Sequence, residues 1–136
     1  MFKRVVDDDI NLCLVHESFA VRYFELVTEN IEYFSQWLDW PRFCTTEQGF
    51  KDFVTRSLHG YAEGKSLNLA VEYRGDIVGN CGFHTINRKT QVAEVGYWLA
   101  PQYQGNGIMT RSCQYLIQWA FAELNIEKGW IRIINA

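Results

Sequence analysis

The sequence predicts an α+β fold: a mostly antiparallel sheet flanked by helices, in a single domain covering residues 1–136. Three observations carry this prediction. Segments that alternate apolar and polar residues, the period of a half-buried strand, are interspersed with segments whose apolar residues recur every three or four positions, the period of a helix. They follow one another as strand, helices, three strands, helix, strand, the pattern of one layered α+β domain. The chain has 136 residues, and single domains cluster at roughly 100–150. Hydrophobic residues at 48% and charged residues at 21% are ordinary globular proportions and argue against disorder.

Each element has its own signal. Ile10-Asn11-Leu12-Cys13-Leu14-Val15 alternates at first and reads as a strand over 10–15. From 18 to 31 the pattern is helical, with Phe19, Tyr23, Leu26 and Val27 at helical spacing. Ile31, Phe34, Trp37 and Leu38 continue it into a second short helix. Trp40-Pro41 ends that run, because the residue before a proline is pushed out of the helical region. Thr45-Thr46-Glu47-Gln48 has the form of a capping box with Thr45 as N-cap. The helix it opens is expected to bury Phe50, Phe53, Val54, Leu58 and Tyr61, with Gly64 as its stop. The stretch from Leu67 to Tyr73 alternates as a strand, Arg74-Gly75-Asp76 is a tight turn, and a partner strand runs from 77 to about 86. After a second polar turn, Asn87-Arg88-Lys89-Thr90, another strand spans 92–99. A loop over 101–107 leads into a long helix from Ile108 to about Leu124. Its expected buried face is Met109, Ser112, Cys113, Leu116, Ile117, Ala120 and Phe121. Residues 129–134 read as a last strand.

Composition excludes several function classes. A net charge of −3, with no Lys/Arg run longer than two, excludes bulk nucleic-acid binding by phosphate neutralisation. No stretch approaches the roughly 18–20 apolar residues of a membrane span, and Asp7-Asp8-Asp9 follows too soon for a signal-peptide apolar region. A cytoplasmic protein is expected. Cys13, Cys44, Cys81 and Cys113 lie 31, 37 and 32 residues apart and the three histidines are equally scattered. Neither a metal site nor a disulfide framework is expected.

The stretch Gln102-Tyr103-Gln104-Gly105-Asn106-Gly107-Ile108-Met109-Thr110 joins a strand end to a helix start. Two glycines let backbone approach a ligand closely. The first amides of a helix lack intrahelical partners, and the helix dipole adds partial positive charge there. Together these make an anion site of the kind that holds a pyrophosphate. The usual phosphate motifs fail: Ile108 follows Gly107 where a P-loop has Lys, and Thr110 stands where a dinucleotide fingerprint has Gly or Ala. A plain strand-to-helix turn is the other reading of the glycines alone.

The spacing Gln-x-x-Gly-x-Gly at Gln102, Gly105 and Gly107 resembles the acyl-CoA pyrophosphate signature of the GNAT N-acetyltransferases. The wider segment from Ala93 through Pro101 to Thr110 resembles the branch that acetylates the N-termini of ribosomal proteins. So do Ser35-Gln36-Trp37-Leu38-Asp39-Trp40-Pro41 and the Arg74-Gly75-Asp76-Ile77-Val78-Gly79 hairpin. The resemblance covers residues 10–132.

It implies a GNAT-like sheet and acetyl-CoA as cosubstrate, with no metal. The acceptor would be a primary amine, on a protein N-terminus or a small molecule; a non-catalytic CoA-binding remnant is the alternative. Pantetheine would lie in a slot between the strand at 92–99 and that at 129–134. The pyrophosphate would rest on backbone amides of Gln104, Gly105, Asn106, Gly107, Ile108, Met109 and Thr110. Gln102 would shape the loop, and backbone at Trp98 or Leu99 would polarise the thioester carbonyl. The reaction needs a base for the amine proton. Glu94 is the candidate, a solvent-facing strand carboxylate being the other reading. Trp37, Trp40 and Tyr97 would line the acceptor site, unless Trp37 packs in the core. His84 is a second base or a hydrogen-bonded rim histidine. Ser112 and Cys113 are packing residues and no covalent acyl-enzyme is expected. The resemblance also implies a helix and hairpin beyond residue 134 that this chain does not show. Trp130-Ile131-Arg132-Ile133-Ile134 would then be an open apolar edge, from which a homo-oligomer is expected.

Overall fold

The computed structural model describes residues 2–123 and the backbone of 130–134. Six strands form one sheet in chain order: β1 (Lys3–Val5), β2 (Ile10–Leu14), β3 (Leu67–Tyr73), β4 (Asp76–Asn87), β5 (Val92–Leu99) and β6 (Trp130–Ile134). The first five pair antiparallel. β6 runs parallel to β5, from Val92↔Trp130 to Gly96↔Ile134. A parallel neighbour needs a crossover, and α4 (Ile108–Glu123) provides it. The expected end of the long helix at Leu124 and the expected start of the last strand at Gly129 lie outside the described residues.

Strand β1 has no counterpart in the sequence reading. All three of its residues are exposed, so no alternation marks it. The Asp7 carboxylate accepts from the backbone N–H groups of Asp9 and Ile10, both at 2.9 Å, and folds the chain from β1 into β2.

A short 3₁₀ turn leads into α1 (Ala20–Glu29), and α2 (Ile31–Trp37) follows at once. The break falls at Asn30, whose side chain donates to the Leu26 carbonyl at 2.8 Å. The two helices bury Tyr23, Leu26, Val27 and Phe34, as their spacing predicts. Helix α3 (Glu47–Ala62) starts one residue later than expected. Thr46, not Thr45, is the N-cap, its hydroxyl accepting from the Gly49 N–H at 3.0 Å. Gln48 does not complete a capping box; it donates to Asp52 at 3.0 Å. The buried stripe is Phe50, Val54 and Ser57, while Leu58 and Tyr61 are 36% and 49% exposed. Gly64, at φ 72°, follows the helix as its stop.

The β3–β4 hairpin turns on Arg74 and Gly75, both with positive φ, at 49° and 90°. Such a turn matches the strand twist. Between β4 and β5 the register runs from Phe83↔Val95 to Thr85↔Glu94, so His84 is the extra residue of a β-bulge.

The sheet has a core on each face. Ile10, Leu12, Val71, Val78, Phe83 and Val95 meet Ile108, Leu116 and Ala120 of α4. On the other face Cys13, Val15, Ala70 and Trp98 meet Tyr23, Leu26, Phe34, Phe50 and Val54 of the first three helices. Full burial of each such aliphatic or aromatic side chain stabilises by roughly 1.5–3 kcal/mol. Phe121, expected in the core, is 44% exposed on α4. Among the described residues no helix is long and apolar enough to cross a membrane.

Candidate active site

Strand β5 lies at the centre of the candidate site. Among the described residues its pairing with β6 runs to Gly96, and Tyr97, Trp98 and Leu99 extend beyond that pair. The chain then makes a 3₁₀ turn at Pro101–Tyr103, passes through Gly105 and Gly107 at φ 88° and 67°, and enters α4 at Ile108. Only glycine adopts such φ values at little cost.

Arg111, one turn into α4, fixes the loop. It donates to the carbonyls of Gly107 (3.3 Å, Nε) and Asn106 (3.0 Å, Nη2), and its Nη1 pairs with Asp7 at 2.5 Å. Asn106 donates through Nδ2 to the Tyr103 carbonyl at 3.1 Å. Gln104 donates to the Tyr33 hydroxyl of α2. The loop carbonyls are thus engaged, and helix bonding starts only at Arg111, whose N–H reaches Gly107 O at 3.1 Å. The amides of residues 105–110 have no backbone acceptor among the described residues. A row of free N–H groups at a helix start is an anion cradle.

A cavity of about 420 Å³ opens against this loop. Gln104, Gly105, Gly107, Ile108, Met109 and Thr110 form one side, Trp98 and Leu99 the base, and Tyr33, Trp37 and Tyr97 the rest. The loop residues anticipated from sequence therefore converge, with two exceptions. Gln102 is exposed and lines no cavity, and Asn106 acts behind the loop rather than in it. Trp37 does not pack in the core: it is 61% exposed and lines this cavity.

A second cavity, about 310 Å³, lies between the sheet and helices α1 and α3. It shares Tyr97 and Trp98 with the first. Two glycines line it side by side: Gly82 of β4 stands opposite Gly96 of β5. Its walls are aromatic. Trp98 packs edge-on against Tyr23 at 5.1 Å and lies 6.0 Å from Trp40; Phe50 and Phe53 complete them. Trp40, Tyr97 and His84 line this cavity together, His84 through its bulge.

Beneath the aromatics runs a chain of hydrogen bonds. Tyr23 Oη donates to Asn80 Oδ1 at 2.7 Å, Asn80 Nδ2 to Asn68 Oδ1 at 3.5 Å, and Asn68 Nδ2 to Ser57 Oγ at 3.2 Å. Burial pushes the Tyr23 phenol well above its ordinary range, so it stays a donor. The sequence reading missed Tyr23, Arg56, Asn68 and Asn80 as site residues. The available signal was Asn80 itself, a polar residue in the apolar run Val78-Gly79-Asn80-Cys81.

Glu94 is half-buried and shares a β5 face with Gly96 and Trp98, beside the bulge that carries His84. It lines neither cavity. Ser112 is buried and donates to the Ile108 carbonyl at 2.8 Å. Burial pushes the Cys113 thiol up to about 11, which leaves it protonated and unreactive near neutrality. Among the described residues no three His, Cys, Asp or Glu side chains gather as a metal-ligand set.

The acetyltransferase (GNAT) domain family matches residues 13–135. The ribosomal-protein-serine acetyltransferase of Escherichia coli (strain K12) is 27% identical over 112 residues, 82% of this chain and 63% of that protein. Among solved structures, RimL, a ribosomal L7/L12 alpha-N-protein acetyltransferase in complex with coenzyme A, superposes with a TM-score of 0.84 at 26% identity. The match covers 88% of this chain and 67% of that one. The microcin C7 self-immunity acetyltransferase MccE, in complex with acetyl-CoA and AMP, gives 0.83 at 28% identity, covering 87% and 66%. This chain spans about two thirds of the length of these relatives.

Proposed function

The chain belongs to the acetyltransferase (GNAT) domain family, and from that premise we propose that it transfers an acetyl group from acetyl-CoA to a primary amine, on a protein N-terminus or a small molecule. The observation that carries this reading is the junction of two cavities at Tyr97 and Trp98, one walled by loop amides with no backbone acceptor among the described residues and the other apolar with a polar base. A pyrophosphate fits the first and an amine-bearing acceptor the second, with the reacting atoms meeting between them. RimL and MccE hold CoA and acetyl-CoA respectively, which supports the assignment of the first cavity.

In this reading the amides of residues 105–110 hold the pyrophosphate, and the edge of β5 beyond Gly96, on the side where no described residue pairs with it, aligns the pantetheine. The amine nitrogen attacks the thioester carbonyl, a C–N bond forms, and the C–S bond breaks with its electrons leaving on sulfur. A backbone N–H at Trp98 or Leu99 stabilises the oxyanion. Glu94 takes the amine proton through a water, since it stands beside the acceptor cavity rather than in it. The same reading puts the protein in the cytoplasm and, because β6 is an outer strand of the sheet among the described residues, as an oligomer joined to a second copy along that edge.

Calorimetric titration with CoA, followed by thiol release from acetyl-CoA across peptide and small-amine acceptors, tests the proposal. CoA binding with turnover of one acceptor class is expected. CoA binding without turnover of any acceptor would favour a second reading, a CoA-binding protein that does not transfer; the absence of Glu94 from both cavity linings is the observation on its side.

A further inference from the structure

The geometry points to an acceptor that carries a carboxylate within a residue or two of its amine, an acidic peptide N-terminus, with Arg56 of α3 as the residue that selects it. This rests on the acetyl-transfer reading and deepens it. The acceptor cavity contains one permanently charged side chain, Arg56, and no Asp or Glu lines it. Arg56 makes no ion pair or hydrogen bond among the described residues. The nearby acid on α3, Asp52, lies outside the lining and accepts from Gln48 at 3.0 Å. A guanidinium at the rim of an apolar cavity is a strong partner for a carboxylate, which it grips with two parallel hydrogen bonds.

The floor has the same polarity. Asn80 spends its carbonyl oxygen on Tyr23, and Asn68 spends its own on Asn80. Each amide uses one N–H in that chain, toward Asn68 and Ser57 respectively. Each amide keeps a second N–H free to donate. Together with the Arg56 guanidinium these donors suit a ligand that brings acceptor oxygens. A polyamine brings the reverse: its second ammonium would enter an apolar cavity that offers N–H groups and a guanidinium and no counter-charge. Such mismatches discriminate by repulsion and by leaving polar groups unpaired.

The test uses three peptides that differ only at the second residue, Asp, Asn or Lys, together with spermidine. Thiol release gives kcat/KM for the unmodified chain, Arg56→Ala and Arg56→Glu. The expected order is Asp above Asn above Lys, with spermidine lowest. Arg56→Ala should cut the Asp-peptide value about 10- to 100-fold, the range for losing a hydrogen-bonded charge, and bring the Asp/Asn ratio toward one. Arg56→Glu should invert the order of Asp and Lys. Turnover with equal values for Asp and Lys peptides, or an Asp/Asn ratio indifferent to Arg56, would overturn the inference while leaving acetyl transfer intact. If CoA binds but no peptide turns over, acetyl transfer fails first. Titration of the Asp and Lys peptides onto the CoA-loaded protein then decides: tighter Asp binding supports the selection by Arg56, and equal binding ends it.

Discussion

At the scale of single residues the cofactor loop makes the sharpest prediction. Gly107 has φ 67°, and a Cβ there would point toward the Arg111 guanidinium, with Nε 3.9 Å away. Gly107→Glu would impose backbone strain and put a carboxylate where the amides attract an anion, so CoA binding should vanish in a calorimetric titration while the fold, followed by circular dichroism, persists. Glu94→Gln removes a base and little volume. If Glu94 takes the amine proton, turnover should fall about 10²-fold with CoA affinity held; near-normal turnover across the pH range would make Glu94 a structural carboxylate. The residues legible in the sequence were those whose chemistry is local. Gly105, Gly107 and their neighbours declare themselves because the motif and the loop that lines the first cavity are the same short stretch. Asn80 could not be read that way. It is a site residue because Tyr23, on a different element, occupies its carbonyl and turns its N–H groups elsewhere. Trp37 shows the converse: its spacing on α2 fits a buried stripe, but α2 ends there and the ring projects over the cofactor cavity.

At the scale of elements, the anion cradle depends on a distant turn. Arg111 holds two loop carbonyls and is itself held by Asp7, in the turn between β1 and β2. Asp7→Asn removes the charge that orients the guanidinium and should weaken CoA binding several-fold, read by calorimetry, with the CoA-free melting temperature little changed. The pH dependence follows from the same carboxyl. The Asp9 N–H holds Asp7 below its ordinary 3.8 against the opposing effect of burial, and the Ile10 N–H and Arg111 add to the lowering. A group depressed in the folded state contributes fully above its unfolded value and loses that contribution as pH falls through the folded value. CoA affinity should accordingly be insensitive to Asp7 from neutral pH down to about 4 and decline below it, and Asp7→Asn should flatten that decline. Strand β5 was legible to the residue because a polar turn, Asn87-Arg88-Lys89-Thr90, precedes it and Pro101 follows it. The α3 cap was missed by one position because Thr45 and Thr46 are both good N-caps, and what separates them is which hydroxyl meets the Gly49 N–H. Thr46→Ala should cost about 1 kcal/mol in denaturant unfolding, and Thr45→Ala much less.

At the scale of the whole molecule, the sequence read as one α+β sheet because its periods change in clear blocks; the side of the sheet each helix covers was not legible, since amphipathicity says that a face is buried but not against what. Outer strands recruit other strands, and β6 is one among the described residues, so the proposed oligomer should sediment as a dimer or larger species at micromolar concentration, and a compact monomer would remove it. The parallel pairing of β5 with β6 has a further consequence, in the order in which the sheet opens. Strands β3, β4 and β5 are joined by short turns and each supports the next, whereas β6 reaches its place only after the chain has passed through α4. Among the described residues β6 pairs only with β5, so it can come away without unzipping the meander, and local openings of this kind run through the least-supported segments. Amide hydrogen exchange should therefore be faster in β6 than in β4 in the free protein. Because pantetheine is proposed to bind beside that seam, CoA should slow exchange at β6 far more than at β4. The cosubstrate would then act as the clasp that keeps the sixth strand in the sheet, and occupancy of the site would be written in the exchange rate of a strand that carries none of the loop that binds it.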